Sequence, residues 1–318
     1  MSERSVTGNG HGKAIVVGEH FVMDGAAALV VGLGHLRTDV TMRRLGPDRE
    51  ALSVKWQGQA LAPEIEADTL KMLSRACTLA GAKGAIGVDV TSSVPIRRGL
   101  GSSAALAVAA LRAAYALMRR SQPDSSDLLG MARDIEGVVH GVSSGLDPAA
   151  ACSTDAVLFQ GGAVFRRVVP QGEQLEAARW VLLDLGEGAP TRDAIAAAVA
   201  RRAAMGSKDL RLLTDTTTLA AMEAADALDL GDVERLARAM QRAAGALVPL
   251  GVVNQRMTDV MDAALAGGAM AVKQTGAGLG GTLLALCRTD EAARQLTQQL
   301  ATQIAGSWVL PIAAKERN

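Results

Sequence analysis

The segment from Pro95 to Ala105, PIRRGLGSSAA, sets two glycines and two serines directly before a long apolar run. Gly99 and Gly101 have no Cβ, so the backbone can take φ > 0 there and press its amides against a ligand. Ser102 and Ser103 fall at N-cap or first-turn positions of a helix expected over Ala104–Met118. A helix N-terminus has unpaired N–H groups and a partial positive charge, which makes it an anion site, and a polyphosphate is the guest that fits. This is not a Walker A loop, since no Lys-Ser/Thr pair follows the last glycine. Nor is it the dinucleotide fingerprint, which wants a third glycine where Ala104 stands. Taken alone, the segment also reads as a strand-to-helix turn with an ordinary serine cap.

Three further groups could do chemistry. Asp147 sits in a Ser-Gly-x-Asp turn, and Pro148 is expected to hold it in an extended backbone that fixes its direction. Lys13 opens the first apolar strand, and a lysine beside an aspartate would keep the carboxylate ionised and favour loss of a proton from a hydroxyl acceptor. Glu136 lies four residues before His140, on one face of a helix expected over Ser126–Gly141 and capped by Ser125 or Ser126. Each has a plainer reading: a turn starter for Asp147, a solvated strand end for Lys13 and a solvated helix charge for Glu136.

The order of these segments gives them a common meaning. P-x-x-x-G-L-G-S-S-A-A resembles the phosphate loop of the GHMP kinases. KAIVVGEHFVMDG (Lys13–Gly25) and EGVVHGVSSGLD (Glu136–Asp147) are similar to segments of that family's mevalonate kinases, and KQTGAGLGG (Lys273–Gly281) resembles its glycine-rich third motif. Phe21, Asp24, the Ser143-Ser144 pair and Leu279 depart from the usual pattern.

The resemblance implies a two-lobed α+β fold with nucleotide and acceptor between the lobes, and ATP- and Mg²⁺-dependent phosphorylation of a small-molecule hydroxyl. Mevalonate, giving 5-phosphomevalonate, is the expected acceptor. A phosphomevalonate or sugar kinase, or a non-catalytic ligand sensor, are the alternatives. It implies nucleotide contacts from Pro95, Gly99, Leu100, Gly101, Ser102, Ser103 and Ala104, and magnesium ligands from Ser103 and Glu136. Asp147 and Lys13 would be catalytic. Glu19, His20, Ser144, Thr191, Gly276 and Ala277 would lie on the acceptor side, with Glu19 helping to hold the lysine and His20, Ser144 and Thr191 donating hydrogen bonds. Arg97 and Arg98 are expected to face the phosphates or solvent.

Composition suits a compact soluble protein. The 318 residues are 49% hydrophobic with a formal net charge of zero, so nothing favours nucleic acid or an anionic membrane as partner. Aromatics are only 2%, too few for base-stacking platforms. Three widely spaced cysteines, Cys77, Cys152 and Cys287, read as reduced buried thiols in a cytoplasmic protein. Ala104–Met118, interrupted by Arg112, is too short to span a bilayer. Met1–Gly12 reads as a loose polar arm. A homodimer is left open.

Hydrophobic periodicity predicts strands at Ala14–Val17, Ala27–Leu33, Thr38–Arg44, Leu52–Trp56 and Gly87–Ser92, and a helix over Thr69–Ala80. A hairpin, Ala156–Phe159 with Ala163–Val169, closes the first half. The segment Pro170–Glu176 is the best boundary, giving lobes of 1–172 and 173–318. Beyond it come a strand at Trp180–Leu185, four helices between Thr191 and Ala266, and strands at Met270–Gln274 and Leu283–Cys287 framing the TGAGLGG loop.

Overall fold

The computed structural model describes residues 5–46, 52–57, 61–141, 143–186, 188 and 191–312, with Thr191 and Arg192 described in the backbone only. By internal contact the chain forms two units that interleave along the sequence. The first comprises Met1–Lys13, Gly32–Pro95 and Gly101–Thr154, and the second Ala14–Val31, Ile96–Leu100 and Asp155–Asn318. The boundary expected near residue 172 therefore falls inside the second unit.

In the first unit, β1 (Val6–Val17) and β2 (Ala28–Arg44) are long strands that continue into the second. From Val6 onward the segment expected as a loose arm is therefore strand. Gly8 and Gly10 face helix α2 (Ser102–Leu117) so closely that a Cβ on either would lie 2.3 or 2.1 Å from a backbone oxygen of Ala109 or Ala105. The strand is buried through its missing side chains, which leave no hydrophobic signal to read. Likewise, the two strands expected within 27–44 are one. Its start pairs with the strand β5 (Ala156–Gln160) and its end with β4 (Ile86–Ser92), so different partners hold the two ends across the Gly34-His35 stretch.

Strand β3 (Leu52–Gln57) runs parallel to β4 (Ile86–Ser92), which runs antiparallel to β2. Helices α1 (Pro63–Leu79), α2 (Ser102–Leu117), α3 (Ser125–His140) and α4 (Leu146–Ala151) complete the unit. Residues Ala104–Leu111 of α2 are buried on every side, as a helix of Ala, Leu and Val must be at the centre of a domain. Around it pack Val40 and Met42 of β2, Leu73 of α1, Val88 and Val90 of β4 and Ile135 of α3. The cap of α3 is Asp124, one residue earlier than expected, its carboxylate accepting from the amides of Ser126 and Asp127.

The second unit begins with the hairpin β5 (Ala156–Gln160) and β6 (Ala163–Val168) beside the start of β2. A short helix α5 (Glu173–Ala177) occupies the segment expected as a linker. An antiparallel sheet in the order β10-β7-β9-β8 follows, from β7 (Arg179–Asp184), β8 (Ala271–Thr275), β9 (Thr282–Cys287) and β10 (Gly306–Pro311). Helices α6 (Thr191–Ala203), α7 (Ser207–Leu230), α8 (Val233–Leu247), α9 (Gln255–Ala266) and α10 (Asp290–Gln299) surround it. Leu236, Met240, Ala243 and Leu247 form the buried stripe of α8 at helical spacing. Among the described residues no helix is long and apolar enough to cross a membrane. Cys77 and Cys287 are buried free thiols, and Cys152 is half-buried.

Candidate functional site

In the first unit Lys13 lies inside β1 rather than at a strand opening as expected; its side chain is 2% exposed and its Nζ lies 3.1 Å from Asp147 Oδ1. The Asp147 side chain is 35% exposed, so the pair presents a solvent-reachable carboxylate backed by a buried ammonium. Asp147 is not extended as expected: it sits in the first turn of α4, entered through Gly145 in the left-handed region. Pro148 is tolerated there because a first-turn N–H has no intrahelical partner to lose. The Ser144 hydroxyl accepts from the Leu146 amide at 3.2 Å, bracing the same turn.

Next to this pair is a buried carboxylate. Glu136 is 4% exposed, and its two oxygens accept from Ser103 Oγ at 3.0 Å and Ser143 Oγ at 2.8 Å. Burial, and secondarily the negative charge of Asp147, pushes its carboxyl up to about 7, against the lowering effect of the two hydroxyls and Lys13. Sequence reasoning paired Ser103 with Glu136 but left Ser143 without a role.

Gly101 has a use beyond the one expected of it. Its φ is 75°, and a Cβ there would lie 2.7 Å from Lys13 Cγ, so the glycine makes room for the lysine stem. It also starts α2 without a side-chain cap, whereas side chains of Asp124, Asp232, Asn254 and Thr289 cap α3, α8, α9 and α10. The first-turn amides of α2 thus have no side-chain cap, as is also true of α1, α4, α5 and α7.

In the second unit Glu19 pairs with Lys273 of β8. Both side chains are buried, and Lys273 Nζ also donates to Gln274 O at 2.6 Å and Ile15 O at 3.3 Å. The signal for this was present: Lys273 is the one cation in AVKQT, a strand buried at all five positions, and a buried ammonium needs an anion.

His20 follows with φ 63° and ψ −48°, a conformation that costs a residue with a side chain on the order of 1–3 kcal/mol. Its Nε2 lies 3.1 Å from Ala277 O. A carbonyl only accepts, so Nε2 carries the proton. Burial, then the charge of Arg202, lowers the imidazole to about 4. The ring is therefore neutral near pH 7, with Nδ1 as an acceptor, which corrects the expectation that His20 donates to the acceptor molecule through a free N–H.

Gly99 and Gly276 pack backbone on backbone. A Cβ on Gly99 would sit 2.9 Å from Thr275 O, and one on Gly276 would sit 3.1 Å from Gly99 Cα. Arg98, expected to face phosphate or solvent, instead donates from Nε to Asp184 Oδ2 at 3.0 Å. The side chains of Thr191 and Arg192 lie outside the described residues.

The residues thus form two groups, each within its own unit: Lys13, Gly101, Ser103, Glu136, Ser144 and Asp147 in the first, Glu19, His20, Gly276 and Ala277 in the second.

The model of the GHMP kinases N terminal domain matches residues 67–155, and that of the GHMP kinases C terminal domain matches residues 221–305. The mevalonate kinase of Aeropyrum pernix is 30% identical over 308 residues, covering 92% of both chains. That of Pyrococcus furiosus is 28% identical over 304 residues, covering 86% of both. Among solved structures, L. major mevalonate kinase in complex with R-mevalonate superposes with a TM-score of 0.82 at 23% identity, over 98% of both chains, a likeness of fold.

Proposed function

The chain belongs to the GHMP kinase family, and we propose that it transfers the terminal phosphoryl group of ATP to the primary hydroxyl of mevalonate, giving 5-phosphomevalonate. The observation that carries this reading is the Lys13–Asp147 pair beside the Ser103–Glu136 pair, all within one unit. A ligand sensor on the same scaffold would have no need to keep both a buried ammonium and an accessible carboxylate in contact.

Phosphoryl transfer asks the protein mainly for positioning and charge stabilisation. The uncapped amides of the Gly101–Ala104 turn bind phosphate oxygens, with Pro95 and Ser102 of the same unit shaping the approach. Asp147 accepts the proton of the acceptor hydroxyl or orients it. Lys13, too buried to exchange freely with water, stabilises charge developing on that oxygen.

The donor set fits magnesium. Among the described residues no cluster of three or more His, Cys, Asp or Glu could hold a metal ion, but Mg²⁺ keeps several waters and takes one or two protein oxygens plus substrate phosphates. Ser103 Oγ and Glu136 Oε1, 3.0 Å apart, are such a pair, and a cation there would offset the cost of burying the Glu136 charge. When bound, the ion neutralises phosphate charge.

The acceptor follows from where the positive charge has gone. Lys273 is paired with Glu19, Arg202 with Asp24 and the His20 carbonyl, and Arg98 with Asp184 through Nε, its Nη1 being buried without a partner. Among the described side chains of these segments, no cationic cluster is left for a second phosphate group. That favours an acceptor carrying a single carboxylate and a hydroxyl. The buried free thiols of Cys77 and Cys287 are in keeping with a reducing, cytoplasmic setting.

ADP release followed with ATP and Mg²⁺, with and without mevalonate, tests the proposal. Release is expected only with mevalonate, in step with one new phosphomonoester by ³¹P NMR. ADP release of equal rate without it, or no ester, would refute the reading.

A further inference from the structure

We infer that Arg202 is a positioning residue for the acceptor histidine: held by Asp24, its guanidinium locks the His20 carbonyl and so keeps the imidazole against the Ala277 carbonyl. The inference rests on the reading that His20 serves the acceptor.

Arg202 lies in the last turn of α6, where an arginine is ordinarily solvated, yet its side chain is only 11% exposed. Its Nη1 donates to Asp24 Oδ2 at 2.7 Å and to the His20 carbonyl. One guanidinium nitrogen carries two hydrogens, so it serves both oxygens at once, and its charge strengthens each bond.

The carbonyl so held belongs to a residue that needs holding. His20 has a side chain but a positive φ, and it leads into a 3₁₀ turn, Phe21–Asp24, closed by Gly25 in the left-handed region. Within that turn the His20 carbonyl receives only the Met23 amide, at 3.3 Å. The strong bond to it comes from another element. The other end of the residue is fixed too, by Nε2 on Ala277 O in the loop after β8. Backbone and ring of one strained residue are thus tied to α6 and to the glycine-rich loop, respectively. The charge of Arg202 also helps keep the ring neutral.

Both bonds come from one nitrogen, so a lysine ammonium has hydrogens enough for both oxygens, but its stem is one bond shorter and sets that nitrogen back from them. Without the guanidinium, Asp24 remains solvated at 26% exposure and the fold has no buried orphan charge to expel. His20 is then free to relax to negative φ and withdraw its ring.

The test is Arg202→Met, which keeps the aliphatic stem, with Arg202→Lys beside it. For Arg202→Met, KM for mevalonate should rise about tenfold or more while KM for ATP stays within about twofold, the pattern of an interaction confined to one substrate. In ¹⁵N-histidine-labelled protein, which has four histidines, the hydrogen-bonded Nε2–H signal of His20 should weaken or vanish. Arg202→Lys should fall between wild type and Arg202→Met on both readouts.

An unchanged mevalonate KM with an intact His20 signal would overturn the inference. So would an equal rise in both KM values. Should Arg202→Met fail to fold, Arg202→Lys must still show the split between the two substrates, or the inference fails. If wild type does not phosphorylate mevalonate, the functional reading falls, while the ring signal of Arg202→Met still decides whether the clamp exists.

Discussion

Asp147→Asn is expected to lower kcat by about two to four orders of magnitude, the scale of a lost acid–base group, with both substrates still bound. Asparagine keeps the size and the turn but removes the charge that meets Lys13 at 3.1 Å. Lys13→Met acts on the same step, so the double variant should be far less impaired than the product of the two single losses. The contact in the structure makes the coupling specific. If the losses multiplied in full, the two residues would serve separate steps, and the ion pair would be structural. Steady-state kinetics on the three variants, with thermal melts to confirm the fold, decides it.

The second large effect is at Glu136. Glutamine there should raise the magnesium concentration needed for half-maximal rate by more than about tenfold and cut kcat sharply, since a neutral amide is a poor ligand for a hard cation. Stability should move the other way. The carboxyl of Glu136 is raised to about 7 in the folded chain, above the ordinary value of 4.5 that the unfolded chain has. The folded state therefore holds its proton more tightly, and the ionised group costs stability progressively as pH rises from about 4.5 through about 7. Without metal, Glu136→Gln should be more stable than wild type at pH 8, by on the order of a few kcal/mol at most, and equal to it near pH 4. Chemical denaturation in EDTA at the two pH values measures this. A variant destabilised at pH 8 would mean that the ionised carboxylate holds the fold together. An unaltered magnesium titration would remove Glu136 from the metal site.

How much of this was legible in the sequence varied with the kind of signal each residue leaves. The helix from Ser102 was plain, because an Ala/Leu run after Gly-Leu-Gly-Ser-Ser has one natural start. The long helices of the second half were legible from their apolar spacing, α8 with the same bounds as expected. What failed were features whose physics leaves no local trace. Strand β1 begins at Val6 because glycines admit a helix backbone, and an absent side chain cannot register as hydrophobic. Helices α4 and α5, of six and five residues, are too short for a period to show. Strand β10 carries few buried positions and was missed for that reason.

The site was legible as residue types more than as partnerships. Lys13 with Asp147 and Ser103 with Glu136 came together as expected. The pairing of Glu19 with Lys273 was not legible, since the two lie 254 positions apart and only the need to neutralise a buried charge points to it. Arg98 and Arg202 were equally opaque: whether an arginine faces a ligand or an internal carboxylate depends on a fold that the sequence does not display at those positions.

The preference for mevalonate rests on the internal use of positive charge near the acceptor segments, and one comparison tests it most directly. With ATP and magnesium held constant, kcat/KM is measured for mevalonate, phosphomevalonate and galactose. Mevalonate is expected to exceed the other two by at least about a hundredfold, a difference of roughly 2.7 kcal/mol in transition-state binding. Faster turnover of phosphomevalonate or galactose would contradict the account.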